Sequence, residues 1–429
     1  MSNSTLSPIP VRFQVETDHA DCLYRCGERA AFTVTVTDAD GAPLKAGRFQ
    51  ARLDNYGSRV LAETEADLAS ANPFTISAVK ETPGFMRLAL DADRNSFALP
   101  GLPGQDACFQ WGVAYEPEKI RPGAARPADF DAFWDAAVRK LDETVPPDPQ
   151  LERLDDACTA GHETFRISFA SYGGRRVWGW LNLPKGKGTF PVRVNVPGAG
   201  IGACGTVASD DEITLTMNVH SYPQPDTPEA RDEVYKAQDA RFAAPCGVAR
   251  YCQAGIHLSR EDFFYYASLL GINRAVNWLW AHPAANRADF TYSGTSQGGG
   301  FGLMLTGLNG HFTRSCIFVP AICDFLGYLY EERESGWPKL IEAQLPENRE
   351  AAIRNAPYFD GANFAARITC PVRVVVGFSD CHCPPASGYA AYNLIPSADK
   401  AILHGIGMGH GVFLRFYEEL GDWVRVGEG

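Results

Sequence analysis

The chain has 429 residues, 45% of them apolar and 21% charged, the proportions of a soluble globular protein with room for two or three domains. Its 39 Lys+Arg against 51 Asp+Glu leave a net charge of −12, which argues against nucleic acid or an anionic membrane surface as the main partner. No run of about 18 apolar residues is present, so no membrane span is expected.

The first ten residues, Met1 to Pro10, carry neither a basic start nor an apolar stretch, which predicts no signal peptide and a cytoplasmic location. The twelve cysteines are scattered without C-x-x-C pairs and read as small buried hydrophobes of a reducing compartment. Cys22 and Cys26 are close enough in sequence for a local bridge, but nothing else suggests oxidising conditions.

Up to about Tyr115 the pattern is all-β. Phe32 to Thr37 alternates apolar and polar residues and runs into Asp38-Ala-Asp-Gly41, a turn signal. Phe85 to Leu90 and Phe109 to Tyr115 are further strand candidates. Residues 1–116 are therefore assigned to an N-terminal β-sandwich of Ig-like type. It is either a carbohydrate-binding or oligomer-forming module or, the favoured reading, a packing domain that shapes one wall of an active site.

Residues 117–150 form a linker and a leading helix. Pro127 is placed in the first helical turn, and Phe130, Phe133, Trp134, Ala137, Val138 and Leu141 make one apolar face. From 151 to 429 strands alternate with helices, the signature of a mostly parallel sheet covered on both faces. Phe165 to Phe169 and Val177 to Leu183 form a hairpin around Gly173-Gly174, followed by strands at Val192 to Val196 and Ile213 to Val219. Ser221 to Gly255 is polar and poorly periodic and reads as a long insertion or lid. A helix is expected over Asp262 to Trp280, with later strands at Cys316 to Val319, Val372 to Val376 and Ala401 to Leu403.

Gly294-Thr-Ser296-Gln-Gly298 is a G-x-S-x-G pattern between the β-prone Phe290-Thr-Tyr292 and an apolar helical stretch. A nucleophilic serine on a tight strand-to-helix turn needs small residues two places either side of it. Serine also needs a base, and in this architecture the acid and then the histidine follow it in the chain. Asp380 lies on a loop past the strand Val372 to Val376, at the end where such sheets keep their active sites. His410, within Gly407-Met-Gly-His-Gly411, is the favoured base; His404, at a strand end, is the rival, and His311 is poorly placed. Backbone N–H groups of Gln297 and of Ala199, in the loop after Val196, are the candidates for an oxyanion hole. Asp380-Cys-His-Cys383 is too compact to converge on one tetrahedral ion, so no metal is expected.

The elbow Gly294-Thr-Ser-Gln-Gly-Gly299, the run Asp380-x-x-Cys383-Pro-Pro385 with Ala390-Ala-Tyr-Asn393, and Asp129-Phe-Asp-Ala-Phe-Trp134 together resemble the acetyl xylan esterase / cephalosporin C deacetylase family, carbohydrate esterase family seven. The resemblance covers roughly residues 117 to 429. It implies an α/β-hydrolase fold, removal of acetyl groups from small saccharides by Ser296, Asp380 and His410, oxyanion donors at Ala199 and Gln297, no cofactor, and a homo-oligomer. Three positions depart from the family: its His-Gly-Tyr turn reads Pro197-Gly-Ala199, its Arg-Gly-Gln motif reads His220-Ser-Tyr222, and its His-Glu pair reads His410-Gly411. The saccharide is therefore left open. A peptidase or other acyl hydrolase of the same fold and a non-catalytic carbohydrate-binding protein are the alternatives.

Overall fold

A computed structural model describes residues 8–57, 59–99, 109–200, 207–223, 225, 227–330 and 333–426. Residues 1–7, on which part of the signal-peptide reading rests, lie outside the described residues.

The N-terminal part folds into two antiparallel-rich sheets. Strands β1 (Arg12–Thr17), β3 (Arg29–Thr37) and β6 (Phe74–Val79) make a three-stranded sheet in the order β1-β3-β6. Strands β2 (Leu23–Tyr24), β4 (Arg48–Asp54), β5 (Val60–Asp67), β7 (Gly84–Ala92) and β8 (Phe109–Tyr115) make a five-stranded sheet in the order β2-β8-β7-β4-β5. Strand β3 buries every second residue, Ala30, Phe32, Val34 and Val36, as its alternation requires. Strand β7 is different: Gly84 to Leu90 are all buried, because its second face packs on the catalytic part of the chain. Phe85 sits edge-on to Phe378 with ring centroids 5.2 Å apart. Cys22 and Cys26 are free thiols.

Helix α1 (Phe130–Thr144) begins after Asp129, about a turn later than Pro127 suggested; Pro127 instead accepts the Phe130 N–H through its carbonyl at 3.1 Å. The helix buries Phe130, Trp134, Ala137 and Leu141, spaced to fall on one face. Phe133 and Val138 are only half-buried.

The remainder is built on a nine-stranded sheet. In chain order its strands are β9 (Gln150–Arg153), β10 (His162–Ala170), β11 (Arg176–Pro184), β12 (Phe190–Val196), β13 (Ile213–Met217), β14 (Ala285–Thr295), β15 (Arg314–Phe318), β16 (Val372–Gly377) and β17 (Lys400–Gly405). Their order across the sheet is β9-β10-β11-β13-β12-β14-β15-β16-β17. The first pairings, through β11 with β13, are antiparallel, and all the rest are parallel. Three of the parallel strands, β13, β15 and β16, are buried along nearly their whole length, as a sheet covered on both faces demands.

The segment from Ser221 to Gly255, read as a poorly periodic insertion or lid, holds regular structure. It contains helix α2 (Pro228–Phe242), with Thr227 accepting the Ala230 N–H at its N-terminus and Pro228 in its first turn. Strong helix formers (Ala, Glu, Lys, Gln, Arg) support it, while its apolar residues are too few to mark a face, so periodicity missed it. Helix α3 (Phe264–Trp280) follows and is buried nearly all round. Among the described residues no helix is long and apolar enough to cross a membrane.

Candidate active site

Strand β14 ends at Thr295, and helix α4 (Gln297–Leu308) starts two residues later. Ser296 alone makes the turn, at φ 60° and ψ −118°, a conformation that costs a non-glycine residue about 1–3 kcal/mol. The surrounding packing pins it: its N–H donates to Phe318 O at 2.9 Å, and its carbonyl accepts the N–H groups of Gly300 and Ala321 at 3.0 Å each. The flanking glycines are required by close approach. A Cβ on Gly298 would lie 1.8 Å from the Val196 carbonyl oxygen, and one on Gly294 would lie 2.6 Å from the Gly298 oxygen.

The acid and the histidine come from loops after β16 and β17, which pair in parallel from Val372↔Lys400 to Gly377↔Gly405. Past the strands the two loops stay bound, with Phe378 N–H donating to Gly405 O at 2.9 Å and Ser379 N–H to Met408 O at 3.0 Å. Asp380 is fully buried. One of its oxygens accepts the N–H groups of His382 and Cys383, both at 2.9 Å, and the other faces His410 Nδ1 at 2.9 Å. A buried carboxylate is tolerable only with such partners. A carboxylate oxygen can only accept, so Nδ1 carries the hydrogen and the Nε2 lone pair faces the Ser296 hydroxyl, 2.9 Å away. The imidazole is partly exposed (21%), open to a ligand from one side.

His404 and His311 lie elsewhere. His404 Nε2 faces the Tyr389 hydroxyl at 2.5 Å, and burial lowers its pKa, as for a structural histidine. His311 stacks on Trp280 with ring centroids 4.3 Å apart.

The compact Asp380–Cys383 run contributes in an unforeseen way, because Asp380, Cys383 and His410 bring one potential ligand atom each within 4.8 Å of one another. Both imidazole nitrogens and both carboxylate oxygens already serve the hydrogen bonds above, so binding an ion would dismantle that chain. Burial, with the Asp380 charge nearby, pushes the Cys383 thiol well above its usual range, so it stays protonated beside the serine.

Gln297 connects both candidate oxyanion donors. Its N–H opens α4 and has no intrahelical acceptor. Its side-chain oxygen accepts from Tyr251 Oη at 3.0 Å and Tyr265 Oη at 2.7 Å, and its Nε2 donates to Pro197 O at 3.4 Å, in the loop that carries Ala199. That loop lies against Ser296, since a Cβ on Gly198 would be 3.8 Å from Ser296 Cβ. The two tyrosines went unnoticed in the sequence, where they look like any aromatic core residues. Behind them His220 packs on Tyr251 and faces Gln238 Nε2 at 2.5 Å. Burial lowers its pKa to about 3, with Gln238 opposing and Arg175 adding to the shift, so the ring is neutral.

A cleft of about 560 Å³ opens beside this constellation. Ala199, Arg250, Trp337, Lys339 and His382 line it, and so do Arg87 and Gln110 from the N-terminal sheet. That sheet is docked tightly on the acid loop: the Tyr56 hydroxyl donates to Phe378 O, and a Cβ on Gly112 would lie 1.8 Å from the same oxygen. Sequence reasoning could not find Arg87 or Gln110, because nothing local marks a strand residue that faces a distant loop. A larger cleft, about 800 Å³, lies between the N-terminal sheet and β17; neither cleft has Ser296, Asp380 or His410 among its lining residues, but the smaller one reaches Ala199 and His382, whose N–H group binds Asp380.

The sequence model of the acetyl xylan esterase (AXE1) family matches residues 115–420. The acetyl esterase Axe7A of Xylanibacter ruminicola is 28% identical over 400 residues, covering 90% of this chain and 84% of that protein. Among solved structures, an acetyl xylan esterase from Paenibacillus sp. R4 superposes with a TM-score of 0.59 at 23% identity, over 72% of this chain and 98% of that one. Acetyl xylan esterase 1 from Thermoanaerobacterium sp. JW/SL YS485 gives 0.58 at 19% identity, over 72% and 96%. With its α/β-hydrolase sheet and a family match over most of its length, the chain belongs to the acetyl xylan esterase family and is a carboxylic ester hydrolase.

Proposed function

We propose that this chain is a serine esterase that removes acetyl groups from a small saccharide, with Ser296 as nucleophile, His410 as general base and acid, and Asp380 as the group that orients His410. The observation that carries the reading is the pair of 2.9 Å contacts that suspend His410 between Ser296 and Asp380. Ser296 Oγ attacks the ester carbonyl carbon while His410 Nε2 takes its proton. The carbonyl oxygen becomes an oxyanion, held by the N–H groups of Gln297 and Ala199. His410 then returns the proton to the departing sugar oxygen, leaving an acetyl-serine. Water enters by the same route, loses a proton to His410, and releases acetate and the free serine. Asp380 orients His410 and stabilises the imidazolium in both halves, itself held by the N–H groups of His382 and Cys383. The acetyl specificity rests on the family and on the similarity to an acetyl esterase along 90% of the chain.

The test is Ser296→Ala measured on p-nitrophenyl acetate and on an acetylated xylo-oligosaccharide. Loss of kcat by about 10⁴-fold or more is expected. Turnover near that of the unmodified enzyme would refute the assignment.

A further inference from the structure

The cleft beside the Ala199 loop is cationic, in a chain whose net charge is −12. Arg87, Arg250 and Lys339 line it, and Glu334 is the one carboxylate among its described lining residues. Arg87 is committed: it donates to both oxygens of Asp54, at 3.1 and 3.2 Å, and to Glu334 at 3.2 Å. Lys339 shares Glu334 from the other side at 3.4 Å, with about half of its side chain exposed. Arg250 is exposed and forms no ion pair with any described residue. Arg250 thus brings to the cleft a positive charge that no ion pair among the described residues answers. A neutral saccharide entering the cleft would offer Arg250 and Lys339 hydroxyl acceptors but no opposite charge. A carboxylate would accept two parallel N–H bonds from the guanidinium, an arrangement that its planar fork favours.

We propose that the cleft is built for an acetylated saccharide that carries a carboxylate, a uronate, with Arg250 as the residue that binds the carboxylate and Lys339 beside it. This rests on the reading of Ser296 as the nucleophile. The ester carbonyl lies against Ala199 and Gln297, and the uronate carboxylate points into the part of the cleft between Arg250 and Lys339. Glu334 fixes Lys339 and Arg87 in place and repels a carboxylate that enters on its side, so it selects the orientation of the sugar.

The experiment compares kcat/KM for a fully acetylated methyl glucuronoside as the free acid, ionised at pH 7, and as its neutral methyl ester, in the unmodified enzyme and in Arg250→Gln and Lys339→Gln. The two substrates share every acetyl group and differ only in the charge. The unmodified enzyme is expected to prefer the acid about tenfold, chiefly through KM, with Arg250→Gln bringing the ratio close to one and Lys339→Gln reducing it partway. A substitution that merely disturbed the fold would lower both rates and leave the ratio intact, and that result in Arg250→Gln overturns the proposal. So does a ratio near one in the unmodified enzyme while both esters are cleaved. If neither sugar ester nor p-nitrophenyl acetate is turned over, the Ser296 assignment itself falls, and the uronate proposal falls with it.

Discussion

The two sides of the cleft beside Ser296 are built by opposite means. On the Ser296 side the structure is local: strand, one residue of turn, and helix, with glycines at the two places where a Cβ would strike backbone. On the other side the wall is borrowed. Arg87 and Gln110 come from the N-terminal sheet, and Arg87 pairs with Glu334, 247 positions further along the chain. In the proposed mechanism the first side sets the chemistry, because attack and oxyanion binding need atoms fixed relative to one short turn. The second sets what can enter, and it depends on how firmly the sheet is seated on the acid loop.

Breaking each side in the same way sharpens that contrast. Gly298→Ala puts a methyl group 1.8 Å from the Val196 oxygen, within the nucleophile's own strand-and-helix unit. It is expected to cost about 4 kcal/mol or more and to abolish ester hydrolysis, checked by thermal unfolding and a p-nitrophenyl acetate assay. Gly112→Ala makes an equal clash with the Phe378 oxygen, but between two parts of the chain that can separate. A smaller loss of about 2 kcal/mol is expected, with kcat lowered about tenfold as the Asp380 loop shifts. If Gly112→Ala left kcat untouched, the N-terminal sheet would have no part in holding the acid.

Two finer tests address the supports behind the serine. Tyr251→Phe combined with Tyr265→Phe removes both donors to the Gln297 side chain. We expect kcat to fall about tenfold with KM little changed, since the oxyanion forms only in the transition state. An increase in KM alone would mean that the tyrosines shape the pocket and not the oxyanion donors. The smallest effect concerns acid stability. His220 titrates near its ordinary 6.5 when unfolded and at about 3 when buried, so the unfolded chain binds the extra proton between those values. Stability therefore falls as pH drops from 6.5 towards 3. His220→Phe, which keeps a ring against Tyr251, should flatten that fall by up to one proton, read from denaturant unfolding at several pH values.

Much of this was readable in the sequence. The alternation in Phe32 to Thr37 matches the burial of β3, and the spacing of Phe130, Trp134, Ala137 and Leu141 matches that of α1. Ser296, Asp380 and His410 could be named because each stands in a short segment whose glycines and strand context signal a turn at the sheet's edge. Helix α2 was missed because its residues favour a helix without marking a face.

What the sequence alone determined, then, is whatever depends on a few neighbouring residues: the periodicity of strands and helices, the tight turn at Ser296, and the placing of Asp380 and His410 on loops after consecutive strands. Tertiary structure alone decided which aromatic residues support Gln297, which histidine reaches Ser296 and which turns to Tyr389, and that Arg87 and Gln110 line the cleft. The physical reason is range. Backbone sterics and hydrophobic periodicity act over a few residues and leave a pattern in the chain. The contacts that choose between His410 and His404, or seat Tyr56 on Phe378, join residues tens to hundreds of positions apart and leave no local mark.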